Sequence, residues 1–187
     1  MSTRGCIGFR KDGKDVLQYN HSDSYPDWLG RRMLEYLTTH TPDQMAEVAA
    51  RVKVVTEDYA PTAEEIEAHA ESLNLDVNAQ SADAAYCLLR EAQGDLAYYD
   101  DPRHTLWMDY AGFMADSLFC EWAYVINLDE GTLEVYKGFN QDPAAPGRYA
   151  ALGDGGDYCG VALVKAYPLG SLPSGDTLVA ECDPPEN

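Results

Sequence analysis

The sequence predicts an α+β protein, in which an antiparallel sheet of about five strands carries an inserted helical lobe of four to five helices. Two segments in which apolar residues alternate around a turn dipeptide predict β-hairpins, and a later apolar run over residues 158–169 predicts a C-terminal strand. Between the hairpins, apolar residues recur at helical spacing. Because 187 residues suit one folded unit, we predict a single domain over residues 1–187, with residues 26–120 as a mainly helical insertion.

The two hairpins are predicted from their turns. Asp12-Gly13 and Glu130-Gly131 are dipeptides that favour a tight hairpin turn, and each stands between apolar residues that alternate with polar ones. Such alternation places one set of side chains on a single face of the sheet. The predicted antiparallel pairs are residues 5–10 with 15–20 and residues 122–128 with 132–138.

Four helices are predicted within the insertion. Pro26 starts the first, because proline suits the first turn of a helix, where its missing N–H removes no hydrogen bond. Thr41 is a candidate N-cap for the second helix, and Thr62 begins a capping-box pattern for the third. The fourth ends at Gly94, and the tail over residues 181–187 is predicted to be irregular.

Charge is the strongest global property of the chain. It holds 32 acidic and 13 basic residues, a formal net charge of −19, and residues 57–116 hold 14 of the acidic residues against only Arg90 and Arg103. Phosphate contacts need clustered lysine and arginine, so direct nucleic-acid binding is not expected. Three interpretations stay open: the charge only keeps the protein soluble, it faces a basic partner, or the protein is an acidic mimic of nucleic acid.

The cysteines and the hydropathy favour an intracellular protein. Five cysteines are scattered singly, with no CxxC pair, so free thiols in a reducing cytosol are predicted and a zinc site is not. The sequence shows no run of 18 apolar residues and no leader-like segment, so neither a membrane span nor secretion is expected. We therefore predict a cytoplasmic protein without metal, cofactor or membrane partner.

The stretch Tyr-Asn-His-Ser-Asp-Ser-Tyr over residues 19–25 is the candidate site. It holds more hydrogen-bonding side chains than the start of one helix requires, and Arg4 could pair with Asp23 across the base of the hairpin. We expect the stretch to line a concave surface beside the first hairpin. The predicted ligand-binding residues are Arg4, Tyr19, Asn20, His21, Asp23, Ser24 and Tyr25.

Two other interpretations of this stretch stay open. In the first, Asn20, Asp23 or Ser24 caps the following helix while the tyrosines pack. In the second, His21, Asp23 and Ser24 form a local catalytic set, with the carboxylate orienting the imidazole. Elsewhere, His69 is predicted to lie on the acidic surface of the third helix.

Two groups of motifs resemble a family of small proteins from tailed bacteriophages and some bacteria. The first group is TRGCIGF from Thr3 with YNHSDSYP from Tyr19, and the second is WAYVINLDEG from Trp122 with EVYKGF from Glu134. Together the motifs cover about a third of the chain. The family has no assigned activity. The resemblance implies a phage-encoded protein of the host-cell cytoplasm that binds a host protein or a small polar ligand, in host takeover or counter-defence.

The first hairpin is also similar, more distantly, to the start of N-terminal-nucleophile hydrolases. In that class a terminal Ser, Thr or Cys attacks the substrate with its own α-amine as the base. Ser2 becomes terminal if Met1 is removed, and Thr3 follows it. A hydrolase is therefore the alternative to a binding protein, and the oligomeric state is left open.

Overall fold

The computed structural model describes residues 2–73, 84–153 and 156–184. The strands are β1 (Gly5–Lys11), β2 (Lys14–Asn20), β3 (Lys53–Val55), β4 (Leu106–Met108), β5 (Trp122–Asn127), β6 (Thr132–Lys137) and β7 (Ala162–Pro168). The helices are α1 (Arg31–Thr39), α2 (Pro42–Arg51), α3 (Ala63–Leu73), α4 (Ala85–Leu89) and α5 (Gly175–Cys182). Short 3-10 turns cover Arg90–Ala92, Leu96–Asp100 and Ala111–Ala115, and a π-helical turn covers Pro26–Gly30.

Five strands form the main sheet in the order β2-β1-β5-β6-β7, so the predicted α+β class is confirmed. Both predicted hairpins and the C-terminal strand are present, with Gly5 opposite Asn20 in the first hairpin and Trp122 opposite Lys137 in the second. The seam between the hairpins is parallel rather than antiparallel, with Gly5 opposite Trp122. The sheet is therefore mixed: β2 ends and β5 begins at the same end of the sheet, opposite Gly5, so the long segment between them brings β5 beside β1 in the same direction as β1.

Successive residues of the central strands pack into two separate cores. Ile7 and Tyr124 face a core that also includes residues of α1, α2 and α5, whereas Cys6 and Ala123 face a second core. This period of two is the normal alternation of side chains along a strand. The second core is completed by residues from irregular segments, among them Met114, Cys120, Tyr149 and Val161. The sheet is thus covered by helices on one face and by loops on the other.

The segment between β2 and β5 contains the four predicted helices, α1 to α4. Thr41 accepts a hydrogen bond from the Gln44 N–H at 3.3 Å, and the N–H of Thr62 donates to Glu65 at 2.7 Å, so both predicted caps are confirmed. The predicted fourth helix also took in residues 81–83, which lie outside the described part of the chain. Strands β3 and β4 form a separate parallel pair that the sequence did not predict. The division of residues 1–187 into a domain with an insertion stays a prediction.

The first helix begins with a π-helical turn, in which the Gly30 N–H donates to the Tyr25 carbonyl at 3.3 Å. Tyr25 is its N-cap residue, and no side chain caps it. The expectation that Asn20, Asp23 or Ser24 caps this helix is therefore wrong, because the N-cap position falls on Tyr25.

Helix α5 corrects the prediction of an irregular tail from residue 181. Ser174 caps the helix by accepting from the Thr177 N–H at 3.1 Å, and the helix runs to Cys182. Leu178 is fully buried and packs beside Gly30, where an added Cβ would lie 2.7 Å from the leucine side chain. Residues 185–187 of the predicted tail lie outside the described residues. Within the described ranges, none of the helices has the length and apolar character needed to cross a membrane.

Candidate functional site

Two adjoining cavities, of about 500 and about 250 Å³, lie beside the open end of the first hairpin. Both are lined by His21 from one wall and by Arg90, Glu91 and Gln93 from the other. We call this composite concavity the His21 groove and define its walls as residues 19–23 and 90–93. Of the stretch over residues 19–25 that is expected to line a concave surface, residues 19–23 do so.

Tyr19 forms part of the floor of the groove. Its ring centre lies 5.3 Å from that of Tyr110 and 5.5 Å from that of Phe113. Its hydroxyl lies 3.3 Å from Nδ1 of His21, and burial raises the pKa of that hydroxyl. The backbone N–H of Tyr110 donates to the Leu17 carbonyl at 2.9 Å, which holds the aromatic floor against β2. Tyr19 therefore supports His21 from below and stays protonated at neutral pH.

Asn20 and Ser24 are directed into the protein and fix the shape of the loop between them. The Asn20 amide donates to Ser24 Oγ at 2.7 Å and to the Ser22 carbonyl. Ser24 is fully buried; its N–H donates to the Thr3 carbonyl at 3.1 Å, and its own carbonyl accepts from the Tyr124 hydroxyl at 3.0 Å. Because these bonds close the loop from both ends, the residues between Asn20 and Ser24 are held outward.

The two walls of the groove meet where Asn20 contacts Gly94. A Cβ added at Gly94 would overlap Oδ1 of Asn20, and the backbone φ of Gly94 is +75°, a conformation that glycine adopts without strain. Gly94 directly follows Gln93, the last residue of the second wall. The glycine therefore sets how closely residues 90–93 approach residues 19–23.

The second wall presents charge and an unused hydrogen-bond donor. Arg90 and Glu91 have side chains that are 66% and 65% exposed, and they are only loosely paired, at 3.9 Å. Gln93 lines both cavities, and its Nε2 is buried without a hydrogen-bond partner among the residues that the structure describes. An unmet buried donor costs about 1–3 kcal/mol, so Gln93 gains if a ligand supplies an acceptor.

The structure brings together most of the residues that the sequence predicts for the site. Tyr19, Asn20, His21 and Asp23 line the groove, whereas Ser24 lies buried beneath it. Tyr25 lies on the adjoining surface with Asp23. That these residues bind a ligand stays a prediction.

Arg4 does not join the groove. Its guanidinium carbon lies over the ring of Phe119, 4.5 Å from the ring centre, and its backbone carbonyl accepts from the Glu121 N–H at 3.0 Å. Within the described ranges no ion pair links Arg4 to Asp23, so the pairing expected from sequence is wrong. Arg90 lines both cavities of the groove instead, and Arg32 lines the smaller one.

The local set of Ser24, His21 and Asp23 is not arranged for nucleophilic catalysis. The Ser24 hydroxyl is buried and accepts from Asn20, while the imidazole of His21 faces Tyr19. At the N-terminus, the Ser2 hydroxyl donates to the His21 carbonyl, and Thr3 is buried. The N-terminal-nucleophile alternative stays a prediction. Among the described residues, no three His, Cys, Asp or Glu side chains are grouped as ligands for a metal ion.

His69 is buried, which corrects its predicted place on the acidic surface of α3. Its Nδ1 lies 2.6 Å from the Tyr98 hydroxyl, and its Nε2 accepts from the Leu106 N–H at 3.2 Å. Its ring stacks on that of His104, with 5.2 Å between ring centres. Burial, followed by the proximity of His104, lowers the pKa of His69 to about 4. The imidazole is therefore neutral at pH 7 and joins α3 to β4.

Several carboxylates of the acidic segment 57–116 are paired within the protein. Glu65 lies 3.0 Å from Lys53, and hydrogen bonds from Thr62, Lys53 and Tyr59 lower its pKa to about 2. Asp101 lies 2.7 Å from Arg103, which holds the pKa of this carboxyl well below its usual range. The first pair joins β3 to α3, and the second lies within one turn. The nucleic-acid mimic, which needs carboxylates at phosphate-like spacing on one face, stays a prediction.

Comparison of the chain with protein-family models, with curated proteins and with solved structures finds no match in any of the three. The resemblance to the bacteriophage family accordingly stays a prediction. What is established for the candidate site is its own geometry: a groove with a fixed floor, two walls from distant parts of the chain, and polar groups at its surface.

Proposed function

We propose that the protein acts by binding a segment of another protein in the His21 groove. If the chain is phage-encoded, as its motifs imply, the partner is a host protein and the purpose is host takeover or counter-defence. The observation that carries the proposal is the convergence of residues 19–23 and 90–93 on one concave surface. His21, Asp23 and Arg90 are exposed at this surface. Asn20 and Ser24 behind them are buried and hydrogen-bonded to each other.

The chemistry of the groove supports a protein partner. Tyrosine, tryptophan and arginine are the side chains that most often carry binding energy at protein interfaces. Here Arg90 lies at the groove, and Tyr86 and Trp28 line it with exposed fractions of 41% and 60%. Both cavities are open to solvent and adjoin each other, which suits an extended segment that lies across them.

A small polar ligand is the second candidate, and Gln93 is the observation that favours it. The unpartnered Nε2 of Gln93 lies beside a cavity of about 500 Å³, within the range of ligand pockets in proteins. A ligand carbonyl or carboxylate would satisfy this donor after a side-chain rotation. Arg90 would then supply charge at the mouth of the groove.

The test is affinity purification of the tagged protein from its natural host, followed by mass spectrometry of co-purified proteins and of bound small molecules. The double variant His21→Ala/Arg90→Ala removes two exposed side chains of the groove. We expect it to lose the specific partner or ligand that the unaltered protein retains. Lys14→Ala is the matched control, because it removes one exposed cation at the other end of β2.

The outcomes separate the candidates. A co-purified protein that depends on the groove supports the proposal, and a groove-dependent small molecule supports the second candidate. If Lys14→Ala and the double variant lose the same partner to the same extent, the groove is not the binding site. The intact N-terminal mass from the same preparation tests the hydrolase alternative, since a retained Met1 leaves Ser2 without a free amine.

A further inference from the structure

A second concave surface, of about 490 Å³, adjoins the His21 groove through Asp23 and Trp28. We call it the Trp28 surface. It is lined by Asp23, Tyr25, Asp27, Trp28 and Asp183. The side chains are thus two aromatic rings and three carboxylates, a combination that differs from the mixed polar lining of the groove.

The two rings are held at the surface by the fold. Trp28 is 60% exposed and Tyr25 is 45% exposed. Both belong to the π-helical turn or directly precede it, and this turn buries Leu29 and Gly30 instead. The backbone N–H of Trp28 donates to the backbone carbonyl of Tyr25 at 3.0 Å, which fixes the backbones of the two residues relative to each other. Exposed rings held on a rigid turn are typical of a binding surface.

Of the three carboxylates of this surface, two form ion pairs within the described part of the protein and one does not. Asp27 lies 2.8 Å from Arg31, and Asp183 lies 2.9 Å from Lys137. Asp23 has no ion pair within the described part of the chain, and its backbone φ of +56° holds it at the tip of the loop that Asn20 and Ser24 close. The backbone that carries this carboxylate is therefore held in place before any partner binds.

We propose that the Trp28 surface binds an arginine side chain on a basic segment of a partner protein, a step that rests on the proposed function. A guanidinium stacks on tyrosine and tryptophan rings and binds a carboxylate through two parallel hydrogen bonds, so it uses both features of the surface. A lysine ammonium is a point charge and lacks the planar guanidinium group that forms two parallel hydrogen bonds with a carboxylate. The net charge of −19 attracts a basic partner over a longer range.

The probe is the peptide acetyl-Gly-Arg-Gly-Arg-Gly-amide, with a citrulline peptide as its uncharged isostere. Binding is followed by the indole N–H signals of the ¹⁵N-labelled protein. Trp107 and Trp122 are buried, so their signals serve as internal references for Trp28. We expect the arginine peptide to shift the Trp28 signal at low salt. The citrulline peptide should bind at least about fivefold more weakly, as expected for loss of the charge.

Three variants locate the interaction. Trp28→Ala and Asp23→Asn should each weaken arginine-peptide binding by about two- to fivefold, the range for one exposed cation–π contact or ion pair. Asparagine tolerates the left-handed backbone at position 23, so this variant removes charge without strain. Asp12→Asn is the matched control, because Asp12 is also exposed at a positive φ of 52°. Thermal unfolding checks that each variant stays folded.

Equal binding of the two peptides would overturn the inference, because it would show that the positive charge of arginine plays no part. Equal weakening by Asp12→Asn and Asp23→Asn would overturn it in favour of net charge alone. A peptide that perturbs His21 and leaves Trp28 unchanged also overturns it, while the proposed function stands. Conversely, the two proposals can fail separately. If His21→Ala/Arg90→Ala retains every natural partner, the His21 groove is rejected as the binding site. Arginine binding at Trp28 would still support the inference in that case.

Discussion

Asn20 and Ser24 differ from His21 and Asp23 although all four are polar and lie within five consecutive residues. The first two are buried, bonded to each other and bonded to the backbone of neighbouring segments. The second two are exposed, and each lines a concave surface. The direction of the side chain, set by the loop between β2 and the π-helical turn, decides which residues hold the fold and which are available to a partner.

The comparison shows how a concave surface with exposed polar groups is assembled from a short stretch. Buried polar groups must find partners within the protein, and those partners then fix the backbone. Exposed polar groups in between need no internal partner and keep their hydrogen-bonding capacity. Substitutions at the inward residues should therefore change stability, whereas substitutions at the outward residues should change binding.

The largest loss of stability is expected for Gly5→Ala, because Gly5 packs against the inward-facing Ser24. A Cβ at Gly5 would overlap the Trp122 carbonyl and lie 2.8 Å from Ser24 Oγ, at the parallel seam of the main sheet. Backbone atoms cannot move aside cheaply, so we expect a loss of about 3 kcal/mol in the free energy of unfolding, the upper end of the usual cost of overpacking. Chemical denaturation measures this. Gly13→Ala offers a comparison without crowding, since no atom lies within 4 Å of its added Cβ, although its φ of +73° adds strain of its own.

Asn20→Ala should be the next most damaging change. It removes the donor to Ser24 Oγ and to the Ser22 carbonyl, and it leaves a gap beside Gly94. We expect a loss of about 2 kcal/mol in unfolding free energy, the cost of unmet buried polar groups. Urea denaturation measures the loss, and Asn20→Asp, which keeps the shape without the donor, controls for the cavity. A loss below about 0.5 kcal/mol, the range of neutral surface changes, would contradict the inward assignment.

The local part of the fold could be predicted from sequence. The hairpins are confirmed because Asp12-Gly13 and Glu130-Gly131 act within a few residues, and the caps at Thr41 and Thr62 are equally local. The parallel seam between β1 and β5 could not be predicted in this way. It joins strands more than 100 residues apart, and its direction depends on how the intervening helices return the chain.

The site was half predictable for the same reason. Residues 19–25 attract attention by the density of their polar side chains, but Arg90 and Gln93 stand in an ordinary helix end about 70 residues away. Only the contact between Asn20 and Gly94 brings the two walls together. The sequence also held one weaker signal for the exposure of Trp28: this residue stands just before the apolar stripe that begins at Leu29 and so falls outside the buried face of the helix.

His69 is a buried polar residue in another part of the molecule. Its titration shows whether inward polar groups control stability there as well. The pKa of His69 is lowered to about 4, mainly by burial, so the folded state favours the neutral imidazole. Its stabilising contribution is complete above the unfolded pKa of about 6.5 and is lost as the pH falls from there towards 4. We expect the free energy of unfolding to fall by about 1 kcal/mol between pH 7 and pH 5.5.

The groups that face His69 are Tyr98, His104, Glu65 and Asp101, and the last two carry negative charge that opposes the shift. His69→Gln removes the titration while its side-chain oxygen can still accept from the Leu106 N–H. Denaturation measured over this pH range should show a shallower slope for the variant. Parallel slopes would assign the pH dependence to other groups.

His21→Ala should have the smallest effect on stability and so gives the sharpest contrast with Asn20→Ala. His21 is exposed, and its only side-chain hydrogen bond among the described residues joins its Nδ1 to the Tyr19 hydroxyl at the long distance of 3.3 Å. We expect the free energy of unfolding to change by less than about 0.5 kcal/mol, as is usual for surface substitutions. Partner capture should nevertheless fall, because the imidazole lines both cavities of the groove. If His21→Ala unfolds the protein as Asn20→Ala does, the outward residues also hold the fold. The polar density of residues 19–25 would then reflect structure alone.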